Sequence, residues 1–137
     1  MSLLIPTASQ LTLLDALTTS GSLNGATLHL FKSNITPALT DVLATYTANE
    51  ATFGGYAAQT ITPWGAAATV SAKAKSVAPT FTFTATGASL PQTIYGVYVL
   101  TSGGALIFAE ANPTGGVTLS SAGHSFSYQP NFTLTTG

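Results

Sequence analysis

The sequence predicts an all-β fold: a single sandwich or jelly-roll-like barrel of about eight short antiparallel strands with a short N-terminal helix. Short runs rich in β-branched and aromatic residues follow one another after residue 25, and Gly- and Pro-containing turns separate them. The cleanest run, residues 80–84, alternates Thr and Phe, so Phe81 and Phe83 should both face the core. At 137 residues the chain has the length of one domain, divided here into an N-terminal arm and helix (1–22) and a β-sandwich (23–137).

The longest β-rich segment spans residues 92–110 and is split by Ser-Gly-Gly, which predicts a β-hairpin. Its first arm is apolar on both faces, with Tyr95 and Val97 on one and Tyr98 on the other. A strand of this kind is covered on both sides, as a central strand is. Gly96 weakens a strand and therefore indicates a bulge or a close neighbour.

Residues 5–20 form the one clear helical pattern. Thr7 and Gln10 have the spacing of a capping box at its start, and leucines recur on one face. Two interpretations remain open: the helix packs on its own domain, or it is a docking arm for another subunit. In the second case the candidate capsid or subunit contacts are Ile5, Pro6, Leu11, Leu14 and Leu17.

Charge is unusually scarce. Only 5% of residues are charged, with three lysines, no arginine, four acidic residues and a net charge of −1, against roughly 25% charged residues in ordinary globular proteins. This surface suits either a protein held in an assembly or a secreted domain made soluble by Thr and Ser. So few cations argue against nucleic acid as a partner. No apolar run approaches the ~20 residues of a membrane span, so no membrane partner is expected.

The residues that often carry chemistry form no convincing set. His29 and His124 are far apart in the sequence without an acidic cluster, so we expect structural roles and no metal site. Asp41 and Glu50 are the candidate carboxylate pair of a small hydrolase, although capping or solvation of loops is the preferred interpretation. We therefore predict no catalytic residue and no cofactor.

Two further expectations concern single side chains. Glu110 shares a strand face with apolar neighbours and needs a partner, for which Lys32 is the candidate. Trp64, Tyr46 and Tyr56 are candidates for stacking on sugar rings, although a tryptophan at a strand corner more often belongs to the core.

The order of several segments resembles a family of small tailed-phage virion proteins that accompany the major capsid protein. The segments that carry the resemblance are Leu4-Ile-Pro followed by Leu11 to Leu17, Leu28 to Pro37, Tyr46-Thr with Glu50 to Ala57, Ile94 to Tyr98, Leu106 to Glu110, and Pro130 to Leu134. Together they extend over roughly residues 4–134, and their order and spacing carry more weight than any one of them.

The resemblance implies a capsid decoration (cement) protein: an all-β oligomer, most simply a homotrimer, on the outer surface of the virion capsid, without catalytic residues. Its partners would be the major capsid protein and further copies of itself. One departure is that Ala111-Asn112 follow Glu110, where the family would place a basic residue. Two alternatives stay open: a carbohydrate-binding module and a tail- or fibre-associated β-domain.

Overall fold

The computed structural model describes residues 5–134 and confirms the predicted all-β class with a short N-terminal helix. The two described helices are α1 (Thr7–Thr19) and α2 (Leu43–Thr47). The eleven described strands are β1 (Thr27–Phe31), β2 (Gln59–Thr60), β3 (Ala68–Val70), β4 (Lys73–Val77), β5 (Phe81–Thr84), β6 (Gln92–Ile94), β7 (Gly96–Leu100), β8 (Leu106–Ala111), β9 (Val117–Leu119), β10 (Ser125–Tyr128) and β11 (Asn131–Leu134).

The described strands form four open antiparallel sheets and no closed barrel, which fits a small sandwich. The largest sheet has the order β2-β1-β7-β8, and the others are β10-β5, β11-β4-β3 and β6-β9. The predicted hairpin is confirmed for β7 and β8, but residues 92–94 of its predicted first arm form β6, which pairs with β9 in another sheet. Strand β7 lies inside the largest sheet between β1 and β8, and all five of its residues are buried.

The largest sheet carries a hydrophobic cluster on each face because alternate side chains of its inner strands point in opposite directions. Leu28, Leu30 and Val97 belong to the main core between the sheets. Phe31, Tyr46, Tyr98 and Leu100 form a second cluster on the other face, beneath α2 and the loop that precedes it. Both faces of β7 are apolar because one face packs in the main core and the other packs in the second cluster.

Gly96 has the close neighbour that the sequence predicts. A Cβ atom at this position would overlap the carbonyl oxygen of Glu110 and would stand 2.5 Å from Cζ of Phe31. Strand β8 and the ring of Phe31 therefore approach the backbone of β7 more closely than any side chain would allow.

Helix α1 differs from the expectation at its start. Pro6 is the N-cap, Thr7 is already helical, and no side chain caps the helix. The predicted capping box is wrong: Gln10 is buried, and its Nε2 donates a hydrogen bond to the Ile5 carbonyl at 2.8 Å. The helix packs against β4, and Asp15 accepts a hydrogen bond from the Ala67 amide at 2.8 Å. These contacts favour the interpretation in which the helix packs on its own domain.

Residues 68–77 form a hairpin, whereas the weak alternation of apolar and polar residues in 66–76 would indicate a single strand. Strands β3 and β4 pair antiparallel around Ser71 and Ala72, whose φ angles are 50° and 61°. A two-residue turn with positive φ at both positions normally contains Asn or Gly. Since neither residue is present, the sequence contains no signal for this turn.

The core predictions are confirmed for Phe83 and Val97, which are almost fully buried. Phe81 and Tyr95 were also predicted to be buried, but they are only half-buried. Phe81 lies at the end of β5 and Tyr95 lies between β6 and β7, where fewer neighbours cover the side chain.

Candidate functional site

The five predicted contact residues on the N-terminal segment have different environments. Ile5 and Pro6 are exposed, whereas Leu11 and Leu17 are half-buried, and Leu17 packs against the main core. Leu14 is completely buried. A side chain enclosed by its own chain is not available to a partner, so Leu14 is removed from the candidate contact. Leu13, the leucine that precedes it on the helix, is 49% exposed and replaces it as a candidate contact.

A second apolar surface lies at the far edge of the largest sheet. Leu39 is fully exposed and Val42 is 62% exposed, both in the loop before α2. Between this loop and the edge strand β8 runs a groove of about 490 Å³, lined by residues 37–39, Asp41, Tyr46 and residues 106–109. We call it the loop groove.

The carboxylate of Asp41 holds the loop that forms one side of the loop groove. It accepts hydrogen bonds from the Tyr46 hydroxyl at 2.6 Å and from the Ala38 amide at 2.8 Å. These two donors lower the pKa of Asp41. Burial, together with the neighbouring carboxylate, raises the pKa of Tyr46 to about 12. The loop is thus held to the second cluster by a charged acceptor whose partners are both neutral.

Glu50 belongs to a different group, on the same face of the sheet as the second cluster. Its Oε1 accepts a hydrogen bond from the Tyr56 hydroxyl and contacts Nδ1 of His29, each at 2.7 Å. The imidazole of His29 stacks on the Tyr98 ring at 4.8 Å, and its Nε2 lies 2.9 Å from Oγ1 of Thr27. Asp41 and Glu50, the candidate carboxylate pair, thus lie in two separate hydrogen-bonded groups, each with its own tyrosine.

The network around Glu50 predicts a loss of stability in acid. Burial alone raises the pKa of Glu50, but hydrogen bonds with His29 and Tyr56 outweigh burial and leave the pKa below its usual 4.5. A carboxyl group whose pKa is lowered by folding stabilises the protein above the pKa of the unfolded chain, and this contribution disappears as the pH falls through the lower, folded value.

We therefore expect Glu50→Gln to lower the melting temperature at pH 7 and the difference from the wild type to shrink below about pH 4.5. Thermal unfolding between pH 7 and pH 3 measures it. Asp41→Asn is the comparison, because the pKa of Asp41 is also lowered but its carboxylate is in the exposed loop. A difference between wild type and Glu50→Gln that stays constant over this range would contradict the assignment.

The predicted ion pair between Lys32 and Glu110 is wrong. Nζ of Lys32 donates to Oγ1 of Thr52 at 2.9 Å, whereas Glu110 accepts a hydrogen bond from the Tyr128 hydroxyl. Burial of the phenol and this hydrogen bond raise the pKa of Tyr128. Tyr128 lies on β10 and Glu110 on β8, in two different sheets, and the sequence gives no indication that these strands meet.

None of the aromatic side chains offers an exposed platform, and all of them lie within the described residues. Trp64 is buried, and its Nε1 donates to the Leu23 carbonyl at 2.8 Å, in agreement with its expected role at a strand corner. Tyr46 is buried and Tyr56 is half-buried. Stacking on sugar rings, the basis of the carbohydrate-binding alternative, therefore lacks a surface.

Within residues 5–134, no group of three or more His, Asp or Glu side chains is placed to hold a metal ion. The described helices are also too short, or too polar, to cross a membrane. Comparison of the chain with protein-family models, with curated proteins and with solved structures finds no match in any of the three.

Sequence reasoning missed three exposed apolar side chains that the structure singles out: Leu39, Val42 and Val70. The first two stand alone in a loop, without any periodic pattern to mark them. Val70 lies in a run of alternating residues and was expected to share a face with the buried Ala74. The unsuspected turn at Ser71 and Ala72 places it in an exposed hairpin instead.

Proposed function

We propose that this protein is a non-enzymatic structural protein of a tailed-phage virion that decorates the outer surface of the capsid. It would stabilise the shell by binding across neighbouring capsid subunits as a homo-oligomer. The observation that carries the proposal is the combination of very few charged residues with five large, exposed apolar side chains in a domain whose core is already closed. These are Ile5, Leu13, Leu39, Val42 and Val70.

A surface with few charges and several exposed apolar side chains binds a partner mainly through apolar contact. Affinity for a charged partner requires several ion pairs, and exposed pairs contribute only ~0–1 kcal/mol each. Seven charged residues in the whole chain supply few of them. Buried apolar area contributes roughly 25 cal/mol per Å² before the costs of association. The exposed apolar groups are therefore the main source of affinity for a protein partner.

A protein that binds only the assembled shell stabilises the shell by mass action, because disassembly would release it. This mechanism needs no catalytic group. It needs a rigid domain with apolar contacts, which the two hydrophobic clusters and the exposed side chains provide. The segment order that resembles phage decoration proteins supports the same assignment.

The capsid contact is assigned to the N-terminal surface formed by Ile5, Pro6 and Leu13. Ile5→Ser combined with Leu13→Ser should weaken binding to heads that lack the protein by at least tenfold, because two exposed apolar side chains would no longer be buried. Ala8→Ser is the matched control, since it adds a hydroxyl on the same helix at an exposed position without removing a large apolar group. Co-sedimentation with heads, followed by gel analysis, measures the bound fraction.

The same assay in low and high salt separates apolar from electrostatic binding. Salt at ~1 M shortens the screening length to about 3 Å and weakens exposed ion pairs, but it leaves apolar burial intact. The wild-type protein should stay on the heads. Release of the wild type by salt alone, or equal binding of the double serine variant, would contradict this contact.

A further inference from the structure

The loop groove is apolar and carries negative charge without a cation. Leu106 and Ala109 of the edge strand β8 line it and pack on the second cluster, and Leu39 and Val42 are exposed in the loop on its other side. Asp41 lines the groove, and its hydrogen-bond donors are neutral. None of the three lysines is among the lining residues. The surface thus suits an occupant with an apolar tip and a flanking positive charge.

The β3–β4 hairpin has these properties. Every residue of β3 is exposed, including Val70 at 49%, and the turn Ser71–Ala72 follows. Lys73 comes directly after the turn, and Lys75 lies on the same face of β4. Neither ammonium group has a carboxylate within salt-bridge distance, nor a hydrogen bond to another side chain, in the described part of the chain. Lys32, by comparison, is bonded to Thr52.

The turn itself is held in an unfavourable conformation. Ser71 and Ala72 adopt the left-handed region, which costs a non-glycine residue roughly 1–2 kcal/mol. Backbone strain of this type is often found at contact sites. Here it places Val70 and Lys73 together at the end of an exposed hairpin.

We propose that the loop groove of one copy receives the β3–β4 hairpin of a second copy, with Val70 against Leu39 and Leu106 and with Lys73 facing Asp41. Lys73 and Lys75, which have no carboxylate partner among residues 5–134, and the carboxylate of Asp41 are the complementary charges of this contact. The inference deepens the self-association named in the proposed function and rests on it.

The two halves of this contact are different surfaces. The groove borders β8 in the four-stranded sheet, whereas the hairpin belongs to the sheet β11-β4-β3. In the proposed contact each copy gives its hairpin to one neighbour and receives the hairpin of a different one, which is a head-to-tail arrangement. Such contacts produce closed rings when the rotation between successive copies adds up to a full turn. A trimer is the smallest ring in which each copy has two different neighbours, and all of its grooves are filled.

The absence of cysteine from the chain permits a direct test. Copies with Leu39→Cys are co-expressed with copies that carry Val70→Cys and are treated with a short bifunctional maleimide reagent. The head-to-tail contact predicts covalent dimers in the mixture but not in either variant alone. Copies with Leu13→Cys, co-expressed with Val70→Cys copies, are the control, because Leu13 is also exposed, at 49%, but lies on α1 and away from the loop groove.

A second measurement tests the charges. Lys73→Glu with Lys75→Glu places carboxylates opposite Asp41 and should raise the dissociation constant of the oligomer tenfold or more. Lys73→Arg with Lys75→Arg keeps the charge and should leave it nearly unchanged. Light scattering after gel filtration gives the mass over a range of concentrations.

The outcomes are distinguishable. A wild-type protein that is monomeric at micromolar concentration would overturn the self-association and the contact together. An oligomer that is insensitive to the glutamate variant and shows no cross-link between Leu39→Cys and Val70→Cys copies would overturn only the contact. Cross-linking of Leu39→Cys copies alone would show a symmetric contact and would overturn the head-to-tail arrangement.

Discussion

Replacement of Gly96 by alanine is expected to cost about 4 kcal/mol or more, a large part of the ~5–15 kcal/mol by which domains are stable. The new methyl group would overlap the Glu110 carbonyl oxygen and would stand 2.5 Å from Cζ of the buried Phe31. Neither neighbour can move freely, because one is the backbone of the paired strand β8 and the other is packed in the second cluster.

The measurement is the urea midpoint of the purified protein, or the soluble fraction on expression if Gly96→Ala does not fold. Gly103→Ala is the control, because its Cβ would have no neighbour closer than 3.7 Å and its φ lies outside the left-handed region. It should change the free energy of unfolding by less than about 0.5 kcal/mol. Equal effects of the two substitutions would contradict the close packing of β7 against β8.

Replacement of Phe83 by alanine should cost about 3–5 kcal/mol, the usual range for a phenylalanine removed from a core. Phe83 is 2% exposed and belongs to the main cluster, where the ring of Tyr56 stacks on it at 5.9 Å. The substitution would leave a cavity that the surrounding sheets can fill only in part. Chemical denaturation of the variant and the wild type gives the difference directly.

Phe81→Ala provides the internal comparison for this prediction. Both residues lie on the same face of β5, two positions apart, but Phe81 is half-buried. We therefore expect a clearly smaller loss than for Phe83→Ala, because less apolar surface returns to water. An equal or larger loss at Phe81 would show that the burial of the two side chains has been assigned in the wrong order.

The sequence alone predicts those features that depend only on the order of residues within one strand. Alternation around Phe83 fixes which side faces the core, and apolar residues on both faces of 96–100 require cover on both sides. Gly96 could be interpreted in the same way, since a glycine in a central strand indicates a close approach. These three predictions depend on the geometry of a β-strand and not on which strands pair.

The features that sequence does not predict depend on how the sheets pack or on turns without a signal. Glu110 on β8 meets Tyr128 on β10 across two different sheets, and neither side chain indicates that contact in the sequence. The turn at Ser71 and Ala72 lacks the Gly or Asn that usually marks it. Leu14 was expected at a candidate contact together with its exposed neighbours, but a leucine face on a helix is equally compatible with packing on its own domain.

The candidate site was predicted only in part for the same reason. Exposed Ile5 and Pro6 keep their place as contact candidates, and Leu13 joins them. The loop groove was not predicted, because it exists only where the loop at 37–41 meets β8 across more than sixty positions of the chain. A single exposed leucine in a loop is common and does not indicate a binding site. Leu39 becomes a candidate contact only because it lies beside an apolar groove.

The most direct test of the decoration hypothesis is electron cryomicroscopy of purified virions that carry this protein, at a resolution that shows strands. We expect ordered density for the β-domain on the outer surface of the capsid shell, at junctions between capsid subunits, with the segment around Ile5 and Leu13 turned toward the shell. Density at the tail or a fibre, with a bare capsid surface, would contradict it.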